Sequence, residues 1–489
     1  MFEKLKHAIK KRFSEKFSYF GGAKSDRTLH DWILSNVAID RKLYSDLSRL
    51  RARARELVHE NPYVSRYINV LRTNVIGSTG IKLQMRVQDP EGTPDDWAND
   101  RIEEAFDKWG MNCGTRGETW TEILNLAVTG FGIDGEPFGQ LVDTEEGLKI
   151  HMIDAARVDV GLNRARTDRQ NEIRMGIEVD SVGKMVAVWV KKENRSYQLP
   201  WESLSGKYVR IPGEDILHFF IPVEAGQTRG FPPLAPAMQK LHHLNGLDDA
   251  TLITARAGAM SMGFMKSANG EKWAGKDDQK RPEIKVEPFA FQELPAGWEM
   301  QEWKPEIPET YMVFSKAIKQ AIAVSLGTSY PTLSGDLEGT SFSSIRAGNA
   351  TEQEYYKTLQ KLICDKFATK IFSRWLKFAL ALGQINKLPF SKYDKFNKPS
   401  WICKRWAYVN PLDEAGADEK RLIMGTVSRT ELVENQGGDL EDVFRQLAKE
   451  KKLAIKYGID VAPEKKGNTN GPERKDDEEN GNVRANVKE

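Results

Sequence analysis

One stretch constrains this chain more than any other. From Ser343 or Ser344 to Leu382 the text reads as a single helix, and Leu359, Ile363, Phe367, Ile371 and Trp375 form an unbroken i+4 ridge along it. At 1.5 Å per residue it reaches roughly 58 Å, longer than a typical globular domain needs. A second long helix is predicted from about Leu234 to Phe264, roughly 45 Å, with Pro236 near its start, where proline is tolerated. Its later half is rich in small residues (Ala250, Ala255, Ala257, Gly258, Ala259, Ser261, Gly263) that let neighbouring helix backbones come close. A monomer has no obvious use for such helices. A ring that packs the same helix against its neighbour does.

The rest of the chain is organised around these two. Residues 1–28 carry eight Lys/Arg against three acids and read as a basic arm, either mobile or touching nucleic acid or a neighbour. In the run Arg49, Arg51, Arg53, Arg55, a spacing of two spreads the side chains around a helix, so a solvated or subunit-bridging helix is expected rather than a DNA clamp. A helix from Asn61 stops at Gly77, a strand alternates over Ile81–Val87, and helices follow at about 97–110 and 120–128. Strands are expected between Gly139 and Ile221, among them Met185–Val190 and Ile216–Phe220, which makes 29–233 an α+β domain. The segment 265–306 is polar, with Trp273, Trp298 and Trp303, and reads as a small strand-containing module. A helix over about 308–326 follows, with Val313, Ala317, Gln320, Ala321 and Val324 on one face, then a loop of turn-forming residues over 328–342. Helices are expected at about 413–425, 428–436 and 439–456, with Ser428 to Glu431 as a capping-box start. From Glu464 the chain has no aromatic residue and is expected to be disordered, within a tail spanning 458–489.

Composition narrows the function. Lys+Arg number 72 and Asp+Glu 70, so the chain is no polycation and any nucleic-acid contact must come from local charge. Three cysteines, far apart in sequence and without CxxC, exclude a disulfide scaffold and a Cys-rich zinc module and fit a reducing cytoplasm. No stretch of 18 apolar residues predicts a membrane span, and the basic N-terminus lacks the apolar run of a secretory signal. The expectation is a soluble intracellular protein. The signatures GxxxxGK[ST], HExxH and GxSxG are all missing; Lys24-Ser25 has no glycine beside the lysine. His242 and His243 are adjacent and so point to different faces of a helix. No catalytic, cofactor or metal site is assigned.

Four motifs in order carry a resemblance. They are Leu50-Arg51-Ala52-Arg53-Ala54-Arg55-Glu56-Leu57-Val58 with Asn61-Pro62-Tyr63 and Asn74-Val75-Ile76-Gly77; Arg229-Gly230-Phe231-Pro232-Pro233 with Asp248-Asp249-Ala250; Ala321 through Gly327, Tyr330, Leu333-Ser334-Gly335-Asp336 and Phe342-Ser343-Ser344-Ile345-Arg346; and Arg405-Trp406 through Pro411 with Ser428-Arg429. Over about residues 30–456 the chain resembles the portal proteins of tailed bacteriophages, specifically the lambda-type family. The resemblance implies a ring of twelve subunits at one capsid vertex, in the virion and assembled in the host cytoplasm. Double-stranded DNA passes through that ring in packaging and ejection, whatever its sequence. Terminase and later the head-completion and neck proteins dock on it, with major capsid and scaffold proteins as further partners and no membrane. It also implies a division into wing (29–233), stem helices (234–264 and 307–327), clip (265–306), tunnel loop (328–342), wing return (343–412) and crown (413–457). In one departure, Phe342 stands where relatives often have tyrosine.

Under that reading the channel candidates are Lys316 and Lys319 on the second stem helix, Asp336, Glu338 and Phe342 in the tunnel loop, and Arg346 at the start of the long helix. The loop has two acids and no Lys or Arg, so inward-pointing copies would repel the polyanion and keep it from adhering, in a salt-dependent way. Asp336 reads equally well as a turn residue bonding its own backbone, and the two lysines as intersubunit partners of acids such as Asp248 or Asp249. In the clip, Trp273, Lys276, Lys280 and Arg281 form a candidate partner surface, while Trp298 reads as the clip's own core. The competing class is a non-portal oligomeric nucleic-acid-binding scaffold protein.

Overall fold

The computed structural model describes residues 36–89, 91–93, 95–192, 208–259, 263–267, 298–302, 310–339, 341–406, 411–436, 438 and 440–458. The basic arm, the tail from 459 on and Trp273, Lys276, Lys280 and Arg281 lie outside them. The chain divides into two compact units at Lys404/Arg405.

In chain order the first unit holds α1 (Ile39–Glu60), α2 (Pro62–Leu71), β1 (Lys82–Met85), α3 (Asp96–Gly110), α4 (Trp120–Asp134), β2 (Phe138–Thr144), β3 (Gly147–Ile153), β4 (Glu172–Arg174), β5 (Ile177–Val179), β6 (Met185–Lys191), β7 (Tyr208–Pro212) and β8 (Ile216–His218). After these come α5 (Met238–Ala259), β9 (Gly263–Ser267), β10 (Trp298–Glu302), α6 (Thr310–Ser325), α7 (Tyr330–Ser334), α8 (Phe342–Ile363), α9 (Thr369–Ala381), α10 (Tyr393–Phe396) and β11 (Pro399–Ile402). The fold is α+β, with all strand pairs antiparallel: β3-β2-β8, β4-β5-β6-β7, β9-β10 and β1-β11. The second unit carries α11 (Pro411–Ile423), α12 (Arg429–Asn435), whose first turn is capped by Ser428 Oγ accepting from the Glu431 amide at 3.1 Å, and α13 (Leu440–Tyr457).

Local chemistry sets the helix ends. Asn61 Oδ1 accepts from the amides of Tyr63 (2.9 Å) and Val64 (3.1 Å), and Pro62 fills the first helical position, where a missing N–H costs nothing. Thr119 and Glu122 exchange bonds as a full capping box at the start of α4. The long helix predicted from residue 343 is α8 and α9 joined through a π turn at Cys364–Ala368. A strict i+4 ridge drifts around an α-helix of 3.6 residues per turn, and one wider i→i+5 turn sets the drift back. Leu359, Ile363, Phe367, Ile371 and Trp375 accordingly all stay on the buried side. Trp375 at the end of the ridge joins an aromatic cluster centred on Phe106, whose ring lies 5.0 Å from Trp375, 5.4 Å from Trp120 and 5.9 Å from Phe372 and Trp401, while Phe367 packs on Phe219. A second core, including Phe138, Ile153, Ile177, Val188 and Ile216, draws on both larger sheets.

Three expectations are corrected. The helix expected over 234–264 is the shorter α5: Leu234–Ala237 form a turn after Pro232 and Pro233, and by Gly263 the chain is already the strand paired with β10, because sheet pairing outweighs helix propensity there. α6 keeps the expected face, which its own chain leaves uncovered: Val313 and Val324 are 74% and 79% exposed, whereas Ser315, Ile322 and Ala323 are buried. The loop over 328–342 contains α7, because its turn formers are also caps, with Ser329 at one end and Gly335 (φ +74°) at the other. Finally, α1 is solvated on one side only, where Arg49 and Arg53 are exposed. Arg51 is buried and Arg55 is bound by Asp134 and Asp154.

Candidate functional site

The residues singled out for a channel fall on α6, the α7 loop and the start of α8, and the structure brings two of them together. Lys316 Nζ lies 3.4 Å from Asp336 Oδ2 and 5.3 Å over the Tyr330 ring. Asp336 also accepts from the Glu338 amide (2.9 Å) and the Tyr330 hydroxyl (3.0 Å), and these bonds, the amide first, hold its carboxyl below the usual range. Asp336 thus bonds its own turn, as Ser-Gly-Asp sequences commonly do. Glu338 is exposed at the loop tip between Leu337 and Gly339.

Lys319 sits one turn on, 5.3 Å over the Tyr63 ring. Burial disfavours its charge, but the Tyr63 hydroxyl and the nearby Asp248 outweigh burial and push its pKa up. Asp248 in turn accepts from the Tyr311 hydroxyl at 2.6 Å, tying α5 to α6. The α7 loop is anchored from α8 by Glu352, which receives the Ser329 amide, the Thr332 hydroxyl (3.1 Å) and the Tyr356 hydroxyl (3.4 Å). Ser341 caps α8 by accepting from the Ser344 amide at 3.2 Å, so Phe342 is the first helical residue; its side chain lies outside the described residues. Arg346 is exposed on the second turn.

A separate charged cluster, which the sequence pattern did not show, lies inside the first unit. Glu136, fully buried just before β2, binds Arg51 of α1, Arg229 (Nε at 2.7 Å), His218 (Nε2 at 2.7 Å) and the Gly230 amide (2.9 Å). Burial by itself would raise the Glu136 pKa; Arg229, Arg51 and His218 overcome it and hold the carboxyl far below the usual range. Arg229 has no exposed surface, lies 5.4 Å over the Phe138 ring and also donates to the carbonyls of Met175 and Val158. The other face of the cluster is Arg55, with Asp134 at 2.8 Å and Asp154. The cluster joins α1, the α4–β2 corner, β8 and the Arg229 loop, so its chemistry is that of a clamp. The available signal was positional: Arg51, Arg55 and Arg229-Gly230 all stand in quoted motifs, but nothing in the spacing names Glu136 as their common partner. Among the described residues no three potential metal ligands converge, and no helix is long and apolar enough to cross a membrane.

Residues 25–360 match the family model described as phage portal protein, lambda family. A probable portal protein of Halomonas phage phiHAP-1 is 28% identical over 94% of this chain and 92% of its own length. Portal protein B of Escherichia phage lambda is 23% identical over 88% of each. Among solved structures, the neck of an empty gene transfer agent particle computed with C6 symmetry aligns with 81% of this chain and 94% of its own at 14% identity (TM-score 0.46). An HK97-family phage portal protein from Corynebacterium diphtheriae aligns with 62% and 85%, also at 14% identity (TM-score 0.33). The model match spans most of the chain and includes both the buried Glu136 cluster and the α6–α7 corner: this chain belongs to the lambda family of phage portal proteins.

Proposed function

We propose that this chain closes into a ring of twelve at one capsid vertex and forms the passage for double-stranded DNA in packaging and ejection. Terminase, and later the head-completion and neck proteins, dock on it, and major capsid and scaffold proteins surround it. The observation that carries the reading is the apolar surface of α5 and α6 left open in the single chain: Leu252 and Ile253 on one, Met312, Val313, Phe314 and Val324 on the other. Isolated chains rarely leave so much apolar surface on paired helices without a partner to cover it. In a ring the partner is the next copy.

The channel follows from charge placement. With Lys316 on Asp336 the pair contributes little net field, and Glu338 at the loop tip supplies the repulsion that keeps duplex DNA sliding. Arg346 and Lys319 offer weak, sequence-independent phosphate contact. We place the clip surface at Trp273, Lys276, Lys280 and Arg281, where docking partners would bind, and assign no catalytic role to any residue.

Native mass spectrometry of the purified chain, with negative-stain images, tests the reading. A particle of roughly 660 kDa, twelve times the 55.4 kDa chain, with a central hole is expected. Val313→Asp combined with Val324→Asp should leave the chain folded and unassembled. A wild-type chain that stays single with scaffold and capsid proteins supplied refutes the ring.

A further inference from the structure

Three cysteines far apart in sequence are not all far apart in space. The Sγ atoms of Cys364, in the π turn, and Cys403, just past β11, lie 3.5 Å apart. Their neighbours hold the approach in register. Four residues before Cys364, Gln360 Nε2 donates to the Lys404 carbonyl at 3.0 Å; five residues after it, Thr369 Oγ1 accepts from the Trp401 indole at 3.1 Å. Thr369 Oγ1 also donates to the Cys364 carbonyl at 2.8 Å, which fixes the turn that aims the thiol. The helix and the outgoing strand therefore run past each other antiparallel, with the sulfurs at the middle of three cross-contacts. A disulfide needs a sulfur separation of about 2.05 Å, a closing of roughly 1.5 Å that side-chain rotation between such anchors can supply.

We propose that Cys364 and Cys403 are an oxidation site, a thiol pair that a low-molecular-weight disulfide converts into an intrachain disulfide stapling the π turn of the long helix to the end of β11. Cys403 is half-buried and Cys364 buried, so the oxidant meets Cys403 first. The Cys403 thiolate attacks one sulfur of the oxidant RSSR and expels one RS⁻. Cys364, giving its proton to water, then attacks Cys403 Sγ and expels the second RS⁻. Two protein thiols lose two hydrogens and the oxidant leaves as two thiols. In the reduced pair, contact with Cys403 and then burial push the Cys364 thiol well above its ordinary pKa, which leaves the more accessible Cys403 as the first nucleophile. The new bond closes the segment 365–402 and ends one residue before the last residue of the first unit.

The test incubates the full-length chain with oxidised glutathione, quenches with acid, and counts thiols in denaturant alongside non-reducing peptide mapping. Thiols should fall from three to one, the survivor being Cys113, whose buried thiol is pushed up to about 12 by desolvation. A Cys364–Cys403 peptide pair should appear within single chains. Cys364→Ser should stop at a glutathione adduct on Cys403. A wild-type chain that keeps three thiols, ends as a stable Cys403 adduct, or crosslinks between chains overturns the proposal. If Cys364→Ser fails to fold, the wild-type map alone decides.

Discussion

Glu136→Gln should be the most damaging conservative substitution in the first unit. Its carboxylate is fully buried and is shared by Arg229, itself fully buried, and Arg51, which is 4% exposed. Two cations and one anion leave the inner cluster at about +1, and Arg55 with Asp134 and Asp154 balances it from the outside. Glutamine removes the only inner anion and sets an NH₂ where one oxygen was, against either Arg51 and Arg229 or His218 and the Gly230 amide. Breaking one partner of a buried pair costs about 3–5 kcal/mol, because the charge left behind stays buried. Arg51→Met does the opposite. It takes the inner cluster to neutral with Glu136 still paired with Arg229, and the excess charge falls on the outer Arg55, Asp134 and Asp154 group, where Asp154 is half-exposed, so its cost should stay below about 2 kcal/mol.

Urea unfolding followed by tryptophan fluorescence reads the difference, since Trp109, Trp120, Trp375 and Trp401 cluster in this unit. With a slope of about 3 kcal/mol/M, a loss of 4 kcal/mol moves the midpoint by about 1.3 M. All chains must be compared at one concentration, because association adds to apparent stability. If Glu136→Gln shifts the midpoint no further than Arg51→Met, the charge accounting is wrong.

Other outcomes follow from single contacts. Gly135→Ala places a Cβ 1.9 Å from the Phe231 carbonyl oxygen at a φ of +82°, so the backbone must move; the thermal midpoint should drop by more than the ~1 kcal/mol of left-handed strain alone explains. Phe106→Ala empties the centre of the aromatic cluster and should cost about 3–5 kcal/mol in the same urea assay. Glu178 is held down to about 2, chiefly by its bond from Arg210, so the folded state favours the ionised form. Its contribution is intact above the ordinary carboxylate range and is lost as pH falls through about 2; Arg210→Met should therefore flatten the decline of the urea midpoint between about pH 5 and pH 2.

What could be read from the sequence alone was local and periodic. The i+4 ridge from Leu359 to Trp375 is the buried face of its helix, and Asn61 and Ser428 to Glu431 marked helix starts, because a cap is chemistry between residues two or three apart. The ordered motifs carried the family. What covers the α6 face was not legible: Val313 and Val324 are as apolar as a core face, and periodicity identifies a face without saying whether its own chain or another covers it. Only the tertiary structure decided which charges meet. Glu136 lies 85 residues from Arg51 and 93 from Arg229, and Cys364 lies 39 from Cys403. Pairings at such separations leave no period in the text, because they depend on how helices and sheets dock, and docking is set by the summed burial of surfaces rather than by any neighbour in the chain.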